Sequence, residues 1–141
     1  MKSSALCCLL AALVAIGSLA VRRSSASPIG GRVFELRTYT ASAGKLDALN
    51  TRFRTHTIAL FKKHGIDVVG FWMPLDKDTG AGEKLVYMLA HPSRAEAEAS
   101  WKAFRADPEW VKVKADSEKD GVLAAKVESV FLEPTDYSPL K

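Results

Sequence analysis

The stretch Arg32-Val33-Phe34-Glu35-Leu36-Arg37-Thr38-Tyr39-Thr40 decides the fold. On an extended chain Phe34, Leu36 and Thr38 fall on one face, and Val33, Glu35, Arg37 and Tyr39 on the other. A period of two, with β-branched and aromatic residues, predicts a strand. A charged pair and a phenol exceed what a strand needs to cover a core, so that face is a candidate for chemistry.

Toward the C-terminus, Ala41-Ser42-Ala43-Gly44 breaks the strand. Leu46, Leu49, Phe53, Thr57, Leu60 and Phe61 then recur at helical spacing, which predicts one amphipathic helix over Lys45–His64. Lys62, Lys63 and His64 in its last turn, with Gly65 just beyond, form a helix stop. Asp67–Leu75 reads as a second strand, with Gly70 and Pro74 marking a bulge and a strand end. The polar turn Asp76–Gly82 joins it to a third strand, Lys84–His91. Ser93-Arg94-Ala95-Glu96 is a capping box that opens a helix buried through Ala97, Trp101 and Phe104. Asp107-Pro108 starts a short further helix over Pro108–Lys119, packed through Trp110 and Val113 and ended by Gly121. Ala125–Glu133 is the last strand.

The order strand, helix, strand, strand, helix, strand is the α+β, ferredoxin-like βαββαβ arrangement. It predicts a four-stranded antiparallel sheet with two main helices on one face. The opposite face holds Val, Tyr, Trp, Phe and Leu, which water covers poorly, so a homodimer is expected there. The Glu35–Arg37 pair is expected at that dimer interface.

Toward the N-terminus the composition changes. The chain has 141 residues, enough for one domain. Residues 1–26 hold Lys2, Arg22, Arg23 and both cysteines, Cys7 and Cys8, but no acid. Setting them aside removes three of the 20 basic residues against an unchanged 16 acids, so the formal net charge falls from +4 to +1. A nearly neutral body argues against nucleic-acid binding. Residues 5–21 are almost wholly apolar and are followed by small residues, so residues 1–26 read as an export signal. The run is shorter than the ~20 residues of a membrane span. The expected destination is therefore periplasmic or extracellular. The alternative is an uncleaved anchor through residues 5–21, the one route to a membrane. Residues 27–31 are a linker, 32–137 the domain and 138–141 a tail. The body lacks cysteine, which excludes thiol catalysis and Cys-ligated metals within it.

Several segments together resemble the NIPSNAP family: Phe34-Glu35-Leu36-Arg37-Thr38-Tyr39, Gly44-Lys45-Leu46, Lys63-His64-Gly65, Gly70-Phe71-Trp72 and Asp107-Pro108-Glu109-Trp110. The similar region runs from about Arg32 to Tyr137. Ala43-Gly44 stands where the family usually has Pro-Gly. The resemblance implies a dimeric α+β barrel and no settled activity. The wider barrel superfamily includes cofactor-free monooxygenases and haem-handling enzymes, so a pocket is implied by analogy alone.

The residues offer few motifs for chemistry. His56, His64 and His91 are the only histidines, and His56 and His64 lie roughly 80° apart around a helix. No mononuclear metal site is predicted, and no cofactor is called for, although one His would suffice as a lone axial haem ligand. No nucleophile elbow or phosphate loop is present. Arg37 is placed to grip an anion and Tyr39 to donate a hydrogen bond. Trp72 and Tyr87, with Trp101, are placed to wall an aromatic pocket or simply to fill the core. Tyr39 and His56, facing each other across a pocket, are the candidate catalytic pair. Arg37, Tyr39, His56, Trp72 and Tyr87 are thus the candidate ligand-binding residues. The sequence reading is an exported homodimeric binding or interaction domain with a possible small-molecule ligand. Its alternatives are a cofactor-independent monooxygenase-type enzyme and a haem-binding protein.

Overall fold

The computed structural model describes residues 31–141; the leader and most of the linker lie outside the described residues. Strand β1 (Val33–Ala41) leads into a helical segment made of α1 (Leu46–Arg52), a π turn (Phe53–Thr57) and α2 (Ile58–Lys63). Strand β2 (Asp67–Trp72), a 3-10 turn (Lys77–Thr79) and strand β3 (Lys84–His91) follow. Helices α3 (Arg94–Ala106) and α4 (Pro108–Ser117) precede strand β4 (Ala124–Leu132). The sheet is antiparallel with order β2-β3-β1-β4, the α+β, ferredoxin-like topology expected from the element order.

Local chemistry explains most boundaries. Ser93 caps α3 by accepting the Glu96 amide hydrogen at 3.1 Å. Asp107 caps α4 by accepting from the Glu109 amide at 2.8 Å, with Pro108 in the first turn. β2 ends at Trp72, short of Leu75. Its ladder slips between Val68 and Gly70, and the Trp72 ring lies so close over Gly70 that a Cβ there would meet it at 2.8 Å. The expected single helix is interrupted at Phe53–Thr57, where the Thr57 hydroxyl donates to the Arg52 carbonyl five residues back, at 3.3 Å.

One sheet face packs on the helices. Its core is a run of aromatic contacts through Tyr39, Phe53, Phe61, Tyr87, Trp101 and Phe104, with ring centroids 5.1–6.2 Å apart. The other face carries Leu36 and Thr38 of β1, Val86 and Met88 of β3, Val130 and Leu132 of β4, and Trp72. Val130 and Trp72 are about half exposed there, at 53% and 51%. Among the described residues, the tail through Pro134 and Leu140 covers the end of this face near Phe34.

This register corrects one expectation. Arg37 pairs with Tyr87 across β3, and Glu35 with Leu89, so the charged pair faces the helices and not the open face. Alternation separates the two faces of β1 but does not say which one meets the helices. The answer depends on Trp101, His91 and Tyr87, which satisfy Glu35 and Arg37 inside.

Candidate functional site

The polar face of β1 builds a closed knot around one carboxylate. Glu35 is 1% exposed and takes four hydrogen bonds. Its Oε1 accepts from Arg37 Nη1 and from Ser129 Oγ, each at 2.6 Å. Its Oε2 accepts from Trp101 Nε1 at 2.6 Å and lies 3.2 Å from His91 Nε2. Burial alone would push this carboxyl up. The donors from His91, Ser129, Trp101 and Arg37 outweigh burial and hold it at about 2, below its ordinary 4.5. An ionised carboxylate only accepts, so His91 Nε2 carries a hydrogen and donates it. His91 Nδ1 is then buried without a partner.

Arg37 is locked by the same knot. Its Nε donates to the Tyr87 hydroxyl at 2.8 Å, and its guanidinium carbon lies 4.3 Å from the Trp101 ring centroid. Burial works against its charge. The phenols of Tyr87 and Tyr39 and the Glu35 carboxylate prevail and raise it above its ordinary value. Burial likewise pushes the Tyr87 phenol up, so it stays protonated. Tyr39 is half-buried, and its hydroxyl meets Arg37 Nη2 only at 3.5 Å. That leaves the Tyr39 O–H and the outer edge of Arg37 as the donors with spare capacity. They sit beside the inner side of β4, where Val127 is 45% exposed.

The five predicted residues divide between three places. Arg37, Tyr39 and Tyr87 come together in the knot. Trp72 is on the opposite face of the sheet and walls nothing with Tyr87. His56 is exposed in the π turn and lines a groove of about 600 Å³ between α1 and α4. Tyr39 instead packs on Phe53 and Tyr87 at 5.7 and 5.4 Å, so the pair does not face across a shared pocket. The π turn turns His56 outward while Phe53 and Thr57 stay buried. Glu35, Trp101, His91 and Ser129 are the partners that local sequence reading underrates. A Trp within an amphipathic stripe carries one N–H that needs an acceptor, and that was the available signal.

The chemistry this arrangement permits is binding of oxygen atoms by fixed donors. Glu35 itself is not a ready general base, because every lone-pair direction of its carboxylate is directed at a donor. For a haem axial ligand, His91 is sealed behind Glu35 and His64 is bonded to Asp107, which leaves His56, exposed on the groove between α1 and α4. Among the described residues, no group of three or more His, Cys, Asp or Glu is placed to hold a metal ion, and no helix is long and apolar enough to cross a membrane.

The family model described as NIPSNAP matches residues 34–139. A NIPSNAP family protein of unknown function from Agrobacterium tumefaciens is 23% identical, with TM-score 0.68, covering 80% of this chain and 96% of its own. An uncharacterized NIPSNAP domain protein from Burkholderia xenovorans is 22% identical, with TM-score 0.64, covering 76% and 98%. A candidate antibiotic biosynthesis monooxygenase from Nitrosomonas europaea is 14% identical, with TM-score 0.51, covering 72% and 97%. At these identities the likeness to the solved structures is one of fold. No curated protein matches the chain.

Proposed function

The chain belongs to the NIPSNAP family, and from that premise we propose that it works as an exported, homodimeric binding domain for an oxygen-rich small molecule. The observation that carries the reading is the knot around Glu35. A saturated carboxylate fixes Arg37 in place, and the spare donors of Arg37 and Tyr39 stand at the β4 side of the site. Such a site recognises carboxylate, carbonyl or phenolate oxygens without needing a proton acceptor of its own. The apolar open face supports the dimer, since water is a poor cover for Leu36, Met88, Val130 and Leu132. The apolar leader with its small residues supports export.

The test of the binding reading is mass spectrometry of small molecules co-purified with the native protein, compared between the wild type and Tyr39→Phe. A ligand retained by the wild type and lost from the variant supports it. Oxygen uptake that depends on an added hydroquinone would replace it with the enzymatic alternative. Sizing with light scattering tests the assembly, and N-terminal sequencing of the native protein tests the leader. A chain that still begins at Met1 and needs detergent for extraction would make residues 5–21 an anchor.

A further inference from the structure

We propose that the groove between α1 and α4 is a second ligand site, one that takes a small oxyanion, a carboxylate or phosphate group, on Arg52 and His56. It lies away from the Glu35 knot and stands independently of the function proposed above.

Three observations carry it. The first is the pattern of the walls. On one side Ala48, Thr51, Arg52, Thr55 and His56 recur at i, i+3, i+4, i+7 and i+8, and the facing side has the same spacing from Glu109 to Ser117. That spacing normally carries the apolar seam by which two helices close on each other. Here charged or hydroxyl-bearing side chains stand at most of those positions, and the seam stays open by about 600 Å³, the size range of small-molecule sites.

The second observation is an unpartnered guanidinium edge on a paired cation. The acids on the wall already hold their partners: Glu109 lies 3.3 Å from Lys63 Nζ, and Asp116 pairs with Lys112 and Lys119. Arg52 is 5% exposed, and its Nη1 is spent on Glu118 Oε1 at 2.8 Å and Ser117 Oγ at 3.3 Å. Its Nε is buried with no hydrogen-bond partner, and its Nη2 makes no hydrogen bond among the described residues. These two nitrogens form one edge of the guanidinium, the edge that takes a carboxylate or phosphate in a two-toothed grip. Buried donors left without an acceptor are rare in native proteins, and a bound ion is among their regular explanations.

The third observation is the backbone. The π turn Phe53–Thr57 begins directly after Arg52 and carries His56 on the groove wall. Such single wide turns inside α-helices recur at functional sites.

The experiment is an NMR titration of the folded chain with inorganic phosphate and, separately, with succinate. Both run at fixed pH, with sodium chloride of equal ionic strength as the control. The signals followed are the Arg52 Nε–H and the amides of His56 and Ser117. The expected result is a saturable shift of all three with phosphate, succinate or both; the stronger probe identifies which anion the site prefers. Affinity should fall about tenfold in Arg52→Lys, which lacks the two-toothed edge, and measurably in His56→Gln. Because Arg52→Lys also disturbs Glu118 and Ser117, the exposed His56→Gln variant keeps the test decisive should the former not fold. Shifts no larger than those from sodium chloride, or an affinity unchanged in His56→Gln, would overturn the proposal.

Discussion

His64 and Asp107 lie 2.6 Å apart, Nε2 to Oδ2, and so join the end of α2 to the start of α4. The same Oδ2 also holds Lys63 Nζ at 2.8 Å, while Oδ1 caps α4. Two short segments 43 residues apart in the chain, Lys63-His64-Gly65 and Asp107-Pro108, are therefore one structural joint. Hydrogen bonds from Lys63 and His64, and then from the Glu109 amide, hold the Asp107 carboxyl well below its ordinary 3.8. We expect Asp107→Asn, which keeps a capping oxygen, to melt below the wild type, and Asp107→Ala to melt lower still. Thermal melts at neutral pH check the order. Equal melting of the two variants would mean that the cap contributes nothing.

Acid should act on the Glu35 knot through a defined window. The folded value of about 2 lies below the ordinary 4.5, so the ionised form is favoured by folding. Its contribution is complete above about pH 4.5 and is lost as pH falls toward 2. In Glu35→Gln the wild type's steep acid limb should flatten across that window. At neutral pH the variant should lose ~3–5 kcal/mol, because Arg37 is left inside without its charge partner. Urea unfolding at a series of pH values measures both effects.

The two faces of β1 make opposite predictions for charge substitution. Val130→Lys adds a lysine to the open face. In an isolated chain this changes stability by about ±0.5 kcal/mol, as surface substitutions do. Across a dimer interface an unpaired buried charge costs ~3–5 kcal/mol, so the variant should be a folded monomer where the wild type is a dimer. Arg37→Glu places a second carboxylate beside Glu35, among the helices, and should abolish folding instead. Light scattering and circular dichroism distinguish the two outcomes. A wild-type monomer at micromolar concentration would remove the dimer altogether.

The fold was legible wherever local chemistry sets local structure. The boundaries of β3 follow from Lys84–His91 alone, and Ser93 with Glu96 announces α3. The π turn left no such mark, because Phe53–Thr57 contains neither Gly nor Pro and the apolar stripe passes through it at ordinary helical spacing. The site was half legible. Glu35, Arg37 and Tyr39 declare themselves by sharing a strand face. Their partners Trp101 and Ser129 lie 66 and 94 residues from Glu35, and only the closed sheet and the α3 packing bring them to it. His91 reads in sequence as a strand end beside Pro92, yet it is fully buried against the carboxylate.

Tyr39 offers the sharpest separation of structure from function. Its ring packs on Phe53 and Tyr87, so the aromatic body belongs to the core. Its hydroxyl contributes little to that packing, being 3.5 Å from Arg37 Nη2, beyond the usual range of a strong N–H···O bond. Tyr39→Phe keeps the ring and removes the hydroxyl. Melting should therefore fall by the equivalent of ~1 kcal/mol or less, the net worth of one modest hydrogen bond. If the hydroxyl serves a ligand beside Arg37, binding should fall about tenfold or more while the melt barely moves, because a buried ligand oxygen then loses its donor. His56→Gln is the matched control for this site: it is exposed in the π turn, on the separate groove between α1 and α4, and should leave both that ligand and the melting temperature unchanged. Isothermal titration with the co-purified molecule, alongside melts of both variants, gives the comparison. Full affinity in Tyr39→Phe would take the phenol out of the site and leave Arg37 as its only anchor.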